Sequence, residues 1–146
     1  MERKNLFRAK CQTFPKEWMY GQIIEVSRKH YLCHEFCIIE LSEDEKILRA
    51  NFELAQPKTI SQYTGVKDSN GVGIYEGDIV EIRDLKHNYI NIAKVKWNEE
   101  MGSWGLQEKG KDFVGVYSLG SWKKYHTLKV IGNIHDNPEL IINREK

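Results

Sequence analysis

Cysteine, proline and long apolar runs are all scarce in this chain of 146 residues. Three cysteines, an odd number, do not make a disulfide framework and indicate reduced thiols, as in cytosolic proteins. Only three prolines, together with 11% aromatic residues, exclude collagen-like and strongly disordered classes. The longest apolar runs, such as 36–39 and 140–142, have a few residues, whereas a membrane-spanning helix needs about 20. We therefore expect a cytoplasmic protein that does not contact a membrane.

Charge of either sign is not in excess, because 22 basic residues face 21 acidic ones and the net charge is +1. A protein that coats nucleic acid through bulk charge is markedly basic, so this balance argues against that class. It leaves room for a local basic patch. The length suits one domain or two very small ones, and a chain of this size buries roughly two-thirds of its unfolded surface. It can therefore build a core without disulfides or metals.

Short segments of alternating polarity predict antiparallel β-structure over most of the chain. Residues 18–41 predict a hairpin, and roughly four or five short strands follow over 77–135, with the spacing typical of small barrels and sandwiches. The expected fold class is therefore all-β or mainly β. Residues 42–56 stay open between helix and strand. Ser42 and Glu45 fit a capping box, but the apolar residues after them do not hold one helical face.

A turn-rich motif connects the two halves of the chain between residues 62 and 80. Asn70 and Gly71 predict a tight hairpin turn, because this pair readily adopts positive φ angles. Tyr63 and Tyr75 would then face each other across the hairpin as an aromatic pair. Glycines suited to sharp reversals and aspartates suited to accepting backbone hydrogen bonds complete the motif: Gly65, Gly71, Gly77, Asp68 and Asp78. We interpret the motif as an architectural joint, with a binding surface as the alternative.

Several stretches of the sequence carry a family resemblance. They are QYTGVKDSNG at 62–71, IYEGDIV at 74–80, FRAK at 7–10, WMYG at 18–21, KVKW at 94–97 and VIGNIHDNPEL at 130–140. On these residues the chain closely resembles the YopX family of small phage and prophage proteins, which are mostly from Gram-positive hosts. The resemblance implies an SH3-like β-barrel at 62–146, preceded by a smaller, mainly β region at 1–61. It implies no reaction, and the stretch between Leu106 and Leu128 does not align clearly with the family.

Two candidate sets of metal ligands fail on their residue types or spacing. A calcium-loop match that starts at Asp68 has Val72 where an oxygen ligand is required and Ile79 where a bidentate glutamate is required. The second set cannot surround one zinc ion, because it would extend about 10 Å along a helix and would point to both faces of a strand. Its members are His30, Cys33, His34 and Cys37. No GxSxG, CxxC or serine elbow occurs, so we expect no metal, no cofactor and no enzymatic activity.

Lysines alternate with aromatic residues over 94–129. Because interface centres favour aromatic side chains, we predict a non-enzymatic adaptor that binds a host or phage protein in the cytoplasm of a bacterial host. It would use the open side of the barrel and a loop at 117–126. The candidate binding residues are Trp104, Tyr117, Trp122, Lys123, Lys124 and Tyr125. The alternative is a weak nucleic-acid-binding module that uses the same surface. Homo-oligomers formed through exposed barrel edges are a further expectation.

Overall fold

The computed structural model describes residues 6–40, 46–84, 86–112 and 114–142. Antiparallel strands dominate these residues, which confirms the predicted mainly β class. The chain divides into two compact units, Met1–Gln62 and Tyr63–Lys146. None of the helices found in the described ranges is long and apolar enough to cross a membrane.

The first unit is built from four strands that lie side by side in chain order. They are β1 (Phe7–Lys10), β2 (Trp18–Val26), β3 (Lys29–Glu40) and β4 (Lys46–Leu54). A short 3₁₀ helix, Pro57–Thr59, follows β4, and Ser61 and Gln62 then pair with β1. Among the described side chains of this unit, one apolar cluster is buried. It consists of Ala9, Cys11, Leu32 and Ala55, with Phe7, Met19, Ile23 and Ile60 packed against them.

The predicted hairpin at 18–41 is present within the described residues as β2 and β3, and its turn has two residues. Val26 pairs with Lys29, so Ser27 and Arg28 alone connect the strands. Both have positive φ, 49° and 65°. Positive φ at both central residues is the turn geometry whose twist matches the flanking strands. This turn geometry could not be predicted from the sequence, because neither residue is glycine or asparagine.

The segment 42–56, open between helix and strand on sequence grounds, contains strand β4 from Lys46 to Leu54. The helical alternative is therefore wrong for these residues. Backbone pairing with β3 extends from Tyr31 opposite Leu54 to Glu40 opposite Lys46, with one bulge. Non-local pairing of this kind overrides a weak local preference for helix. The capping box at 42–45 lies outside the described residues.

The second unit contains a hairpin and a four-stranded antiparallel sheet, whose strands lie in the order Thr127–Asn133, Asp78–Asp84, Tyr89–Asn98 and Ser103–Glu108. The hairpin joins β5 (Ser61–Lys67), which begins in the first unit, to β6 (Gly73–Tyr75). The remaining elements are β7 (Asp78–Asp84), β8 (Tyr89–Asn98), β9 (Ser103–Glu108), helix α1 (Leu119–Tyr125), β10 (Thr127–Asn133) and a 3₁₀ helix (Pro138–Leu140).

One apolar core holds the second unit together and places α1. Alternate residues of β7 and β8 point into it, because successive side chains of a strand face opposite sides. Leu119, which is 1% exposed, anchors α1 to this core. In the described part of the chain no residue pairing joins β9 to β10, so the SH3-like barrel stays an expectation from the resemblance. The buried members are Ile74, Val80, Ile82, Ala93, Val95, Leu106, Leu119 and Leu128.

Candidate functional site

Asp68 ties the loop between β5 and β6 to strand β10. Its Oδ1 accepts hydrogen bonds from the backbone N–H groups of Asn70 (2.8 Å) and Val72 (2.9 Å). Its Oδ2 accepts one from Val130 (3.0 Å). The side chain is buried, which raises its pKa, but the three backbone donors and the nearby charge of Lys123 together hold the pKa of Asp68 below its ordinary value. These contacts favour the architectural interpretation of the motif over a cation site, because the carboxylate already faces N–H donors.

The hairpin turn predicted at Asn70 and Gly71 is present, but only one of the two residues has the predicted positive φ. Gly71 has a φ of 83°, whereas Asn70 is not among the described residues with positive φ. Asp68 donates its N–H to Val72 O at 2.7 Å, and Gly71 donates its N–H to Asp68 O at 3.1 Å. This is a three-residue loop that ends in a left-handed glycine. The sequence identified the turn and its glycine, and the positive φ predicted for Asn70 is corrected by the structure.

The predicted aromatic pair of the motif is present, because Tyr63 lies opposite Tyr75 with ring centroids 5.3 Å apart. Asp78 is 1% exposed, and its Oδ2 accepts the N–H of Tyr75 at 2.8 Å. Gly65 and Gly77 have φ angles of 80° and 78°. The motif therefore builds the turns of the second unit, and its role as a joint between the two regions stays a prediction.

The segment 117–126, predicted as a binding loop, contains helix α1 instead. The hydroxyl of Ser118 caps the helix by accepting the N–H of Ser121 at 3.2 Å. Seven residues are too few for an apolar periodicity to show in the sequence, which is why the pattern did not predict a helix. The correction matters for the site, because a capped helix anchored by Leu119 holds its side chains in fixed positions.

Three of the six candidate binding residues form one aromatic group. Tyr117 and Tyr125 are 64% and 68% exposed, and Trp122 is half-buried against the core. The Tyr117 ring meets the Trp122 ring edge to face at 6.3 Å, and Trp122 lies 4.8 Å from the His126 ring. The Lys124 Nζ lies 5.2 Å from the ring centroid of Tyr125.

Of the remaining three candidates, Lys124 borders this aromatic group, whereas Trp104 and Lys123 lie outside it. Trp104 packs against the core and meets Trp97 edge to face, with ring centroids 5.2 Å apart. Lys123 acts electrostatically on Asp68. The structure thus brings together Tyr117, Trp122, Lys124 and Tyr125 and places Trp104 and Lys123 elsewhere.

Two adjoining clefts lie between α1 and the β7–β8 turn. We call the first, of about 460 Å³, the aromatic cleft; it is lined by Asp84, His87, Tyr89, Tyr117, Ser121, Trp122, Tyr125 and His126. We call the second, of about 530 Å³, the basic cleft; it is lined by Arg83, Asp84, Lys86, His87, Lys124, Tyr125, His126 and Thr127. Four residues belong to both clefts, so the two form one continuous surface.

Asp84 lines both clefts and interacts with two histidines that also line both. Its Oδ2 lies 2.5 Å from Nδ1 of His87 and 4.0 Å from Nε2 of His126. Its Oδ1 accepts the backbone N–H groups of Lys86 (2.9 Å) and His87 (3.3 Å). The hydrogen bond with His87, helped by these backbone donors, holds the pKa of Asp84 below its ordinary value despite partial burial. Sequence reasoning missed these residues, because no spacing rule connects position 84 to position 126.

Two ring nitrogens beside the aromatic cleft are buried without a hydrogen-bond partner among the described residues, Nε1 of Trp122 and Nδ1 of His126. A buried polar group in this state costs about 1–3 kcal/mol. Such exceptions are uncommon in folded proteins. Trp122 and His126 both line the aromatic cleft, so two of its residues carry a ring nitrogen that no described residue satisfies.

Metal-binding geometry is not found in the described ranges, where no group of three or more histidine, cysteine or acidic side chains could hold an ion. Cys11 and Cys33 are buried free thiols. Burial, with a smaller contribution from Glu53, raises the pKa of Cys11, which makes it a poor ligand or nucleophile. The side chain of Cys37 lies outside the described residues.

The fold and the clefts define a small, mainly β protein with two antiparallel units and a surface site beside helix α1. The family described as YopX protein matches residues 6–142, and the chain belongs to this YopX family. The crystal structure of protein EF1440 from Enterococcus faecalis is similar to it, with a TM-score of 0.65 and 24% sequence identity. That match covers 97% of this chain and 100% of the other, and it shows the fold alone. No curated protein matches the chain at a significant level.

Proposed function

We propose that this protein is a non-enzymatic adaptor that binds another protein through the aromatic cleft. One observation carries the proposal: the exposed rings of Tyr117 and Tyr125 flank the half-buried ring of Trp122 around an open cleft. Tyrosine and tryptophan are the residues that most often dominate the binding energy of interfaces. Membership of the YopX family supports a phage or prophage origin and a role in the cytoplasm of a bacterial host.

The aromatic cleft has the size and rigidity that suit an anchor side chain. Its volume of about 460 Å³ falls within the range of about 300–1,000 Å³ that is typical of binding pockets. Trp122 is packed against the core before any partner arrives. Aromatic side chains also have few rotatable bonds, so little conformational entropy is lost on binding. A preformed cleft of this kind favours an interface centred on one buried partner residue.

The same cleft contains Asp84, His87 and Ser121, the residue types of a hydrolytic triad, and their geometry favours binding over catalysis. A nucleophile must lie within hydrogen-bond reach of its base. Ser121 Oγ instead lies 3.0 Å from Ser118 Oγ at the start of α1. Among the described residues no hydrogen bond joins a histidine ring to a serine hydroxyl. This arrangement supports the non-enzymatic proposal.

Affinity capture from a bacterial host lysate, followed by quantitative mass spectrometry, tests the adaptor function. The double variant Tyr117→Ser/Tyr125→Ser should lose the partner that the wild type captures. Tyr20→Ser, at a tyrosine that is 51% exposed in the first unit, should retain it. Equal capture by all three forms would exclude the aromatic cleft as the binding site. Native mass spectrometry of the eluate also reports whether the protein forms a homo-oligomer.

A second candidate function is weak binding of single-stranded nucleic acid. The observation in its favour is the basic cleft, where Lys86 and Lys124 lie beside the exposed ring of Tyr125. Bases stack on aromatic rings, and phosphates pair with basic groups. Fluorescence anisotropy with a labelled oligo-dT tests it, because phosphate contacts make affinity fall steeply with salt. Affinity that does not change with salt would count against this function.

A further inference from the structure

The aromatic and basic clefts meet along a shared wall, which restricts what can occupy them. Tyr125 and His126 line both clefts, as do Asp84 and His87. An occupant of the aromatic cleft therefore has the basic cleft as its immediate neighbour. The partner must satisfy an apolar surface on one side of Tyr125 and a charged surface on the other.

Two of the charged groups in the basic cleft already have partners within the protein. Arg83 Nε donates to a glutamate on the same strand at 2.6 Å, and Asp84 Oδ2 lies 2.5 Å from Nδ1 of His87. Lys86 and Lys124 are exposed, and no carboxylate of the described ranges forms an ion pair with either. The basic cleft therefore presents two uncompensated ammonium groups to an occupant.

We propose that the occupant is an acidic peptide segment, in which a large apolar or aromatic side chain fills the aromatic cleft and a nearby carboxylate pairs with Lys124 and Lys86. This inference rests on the proposed adaptor function and names the chemistry of its partner. Lys124 Nζ lies 5.2 Å from the Tyr125 ring centroid, at the border of the two clefts. Alternate residues of an extended segment are about 7 Å apart, so an anchor and a carboxylate can occupy adjoining clefts.

A single-stranded nucleic acid fits the same surface less well. Its affinity depends on neutralising successive phosphates with lysine and arginine. The clefts offer two uncompensated lysines, and the carboxylate of Asp84 lines both of them. The whole chain has a net charge of +1. One or two carboxylates on a peptide match two ammonium groups, whereas a polyanion would bring phosphates towards Asp84.

Selection of a ribosome-displayed random peptide library on the full chain tests the acidic-peptide proposal. Three forms of the protein are compared. The first is the wild type, and the second is K86E/K124E, which reverses the charge of the basic cleft. The third is K67E/K96E, a matched control that reverses two exposed lysines of the second unit outside both clefts.

We expect the wild type and K67E/K96E to enrich the same peptides, with an aromatic or large apolar residue within about two positions of Asp or Glu. K86E/K124E should bind those peptides about tenfold more weakly in fluorescence anisotropy, because two attractive contacts become repulsive. Enriched peptides without an acidic bias, or equal affinity for the two charge variants, would overturn the acidic-peptide inference. The adaptor function would survive either of those results.

The double variant Tyr117→Ser/Tyr125→Ser tests the adaptor function separately from the acidic-peptide inference. It should not enrich the peptides that the wild type selects. If it enriches them equally, or if the wild type enriches none, both the inference and the adaptor function fail. A labelled oligo-dT is the final probe. Tighter binding of oligo-dT than of the best selected peptide, with steep salt dependence, would overturn both in favour of nucleic-acid binding.

Discussion

The backbone N–H of Val130 donates a 3.0 Å hydrogen bond to the buried Oδ2 of Asp68, across 62 positions of sequence. The other oxygen of this carboxylate accepts two N–H groups of the β5–β6 loop. Beside it, Ser69 N–H donates to Leu128 O at 2.9 Å, and Leu128 N–H donates to Ser69 Oγ at 3.1 Å. Two adjacent loop residues therefore fix the loop to β10 through three hydrogen bonds, one of which the Asp68 carboxylate accepts.

The variant Asp68→Ala should lower the free energy of unfolding by about 3 kcal/mol. Three N–H groups would lose their acceptor, and each buried unsatisfied group costs about 1–3 kcal/mol before water reaches part of the site. Urea unfolding followed by circular dichroism measures the change. Asp112→Ala, at an exposed aspartate, is the control and should stay within about 0.5 kcal/mol of the wild type. Equal stability of the two variants would exclude Asp68 as the fixing residue.

Acid should destabilise the wild type in a way that depends on Asp68. Its pKa in the folded chain is lower than the ordinary value of 3.8, so its stabilising contribution is present above that value and is lost as the pH falls through the folded pKa. Urea midpoints between pH 7 and pH 2.5 should therefore fall less steeply in Asp68→Asn than in the wild type. Parallel curves for the two proteins would show that this carboxylate does not contribute to acid unfolding.

Local chemistry made the turn motif readable from the sequence. A glycine with positive φ, an aspartate that caps its own loop and a tyrosine pair across a hairpin all depend on residues a few positions apart. These features can therefore be predicted from particular residue types at fixed spacings. The turn at Ser27 and Arg28 shows where this fails, because neither residue is a usual turn former and its positive φ values follow from the strands that it joins.

The candidate site was predicted only in part, because its walls come from distant segments. Tyr117, Trp122 and Tyr125 lie close together in sequence, so the local enrichment in aromatic residues was enough to identify them as candidates. Asp84 and His126 meet only after β7 and β10 pair, and no periodicity connects them. Helix α1 was missed for a similar reason. It has seven residues, and its stability depends on a cap and one buried leucine rather than on a long amphipathic pattern.

Ser118→Ala should loosen helix α1 and the aromatic cleft beside it. The hydroxyl accepts the N–H of Ser121, and loss of an N-cap acceptor costs about 1 kcal/mol. Hydrogen exchange at the amides of Trp122 and His126, which bond within and just after the helix, should become about fivefold faster. Ser121→Ala removes only the contact between the two hydroxyls and is the matched control. Equal exchange in both variants would contradict a capping role for Ser118.

Tyr89 joins the aromatic cleft to a polar network on β8 and β9. Its hydroxyl donates to Glu108 Oε2, and Asn91 Nδ2 donates to the same carboxylate oxygen at 2.6 Å. Lys111 Nζ donates to Glu108 Oε1 at 2.6 Å. Burial, and then the hydrogen bond to Glu108, raise the pKa of Tyr89 above 10.0, because the phenolate would lose its bond and face a carboxylate.

The free energy of unfolding should therefore decrease less at alkaline pH in Tyr89→Phe than in the wild type. A raised pKa gives a contribution that is complete below the unfolded value of about 10 and disappears as the pH rises through the folded pKa. Urea midpoints between pH 8 and pH 11.5 should fall less steeply in Tyr89→Phe than in the wild type. At pH 8 the variant should be about 1 kcal/mol less stable, because the Glu108 carboxylate loses a donor. Tyr20→Phe, at an exposed tyrosine, is the control, and its urea midpoint should change with pH as in the wild type. If the midpoint of Tyr89→Phe also changes as in the wild type, the Tyr89 phenol does not contribute to unfolding in alkali.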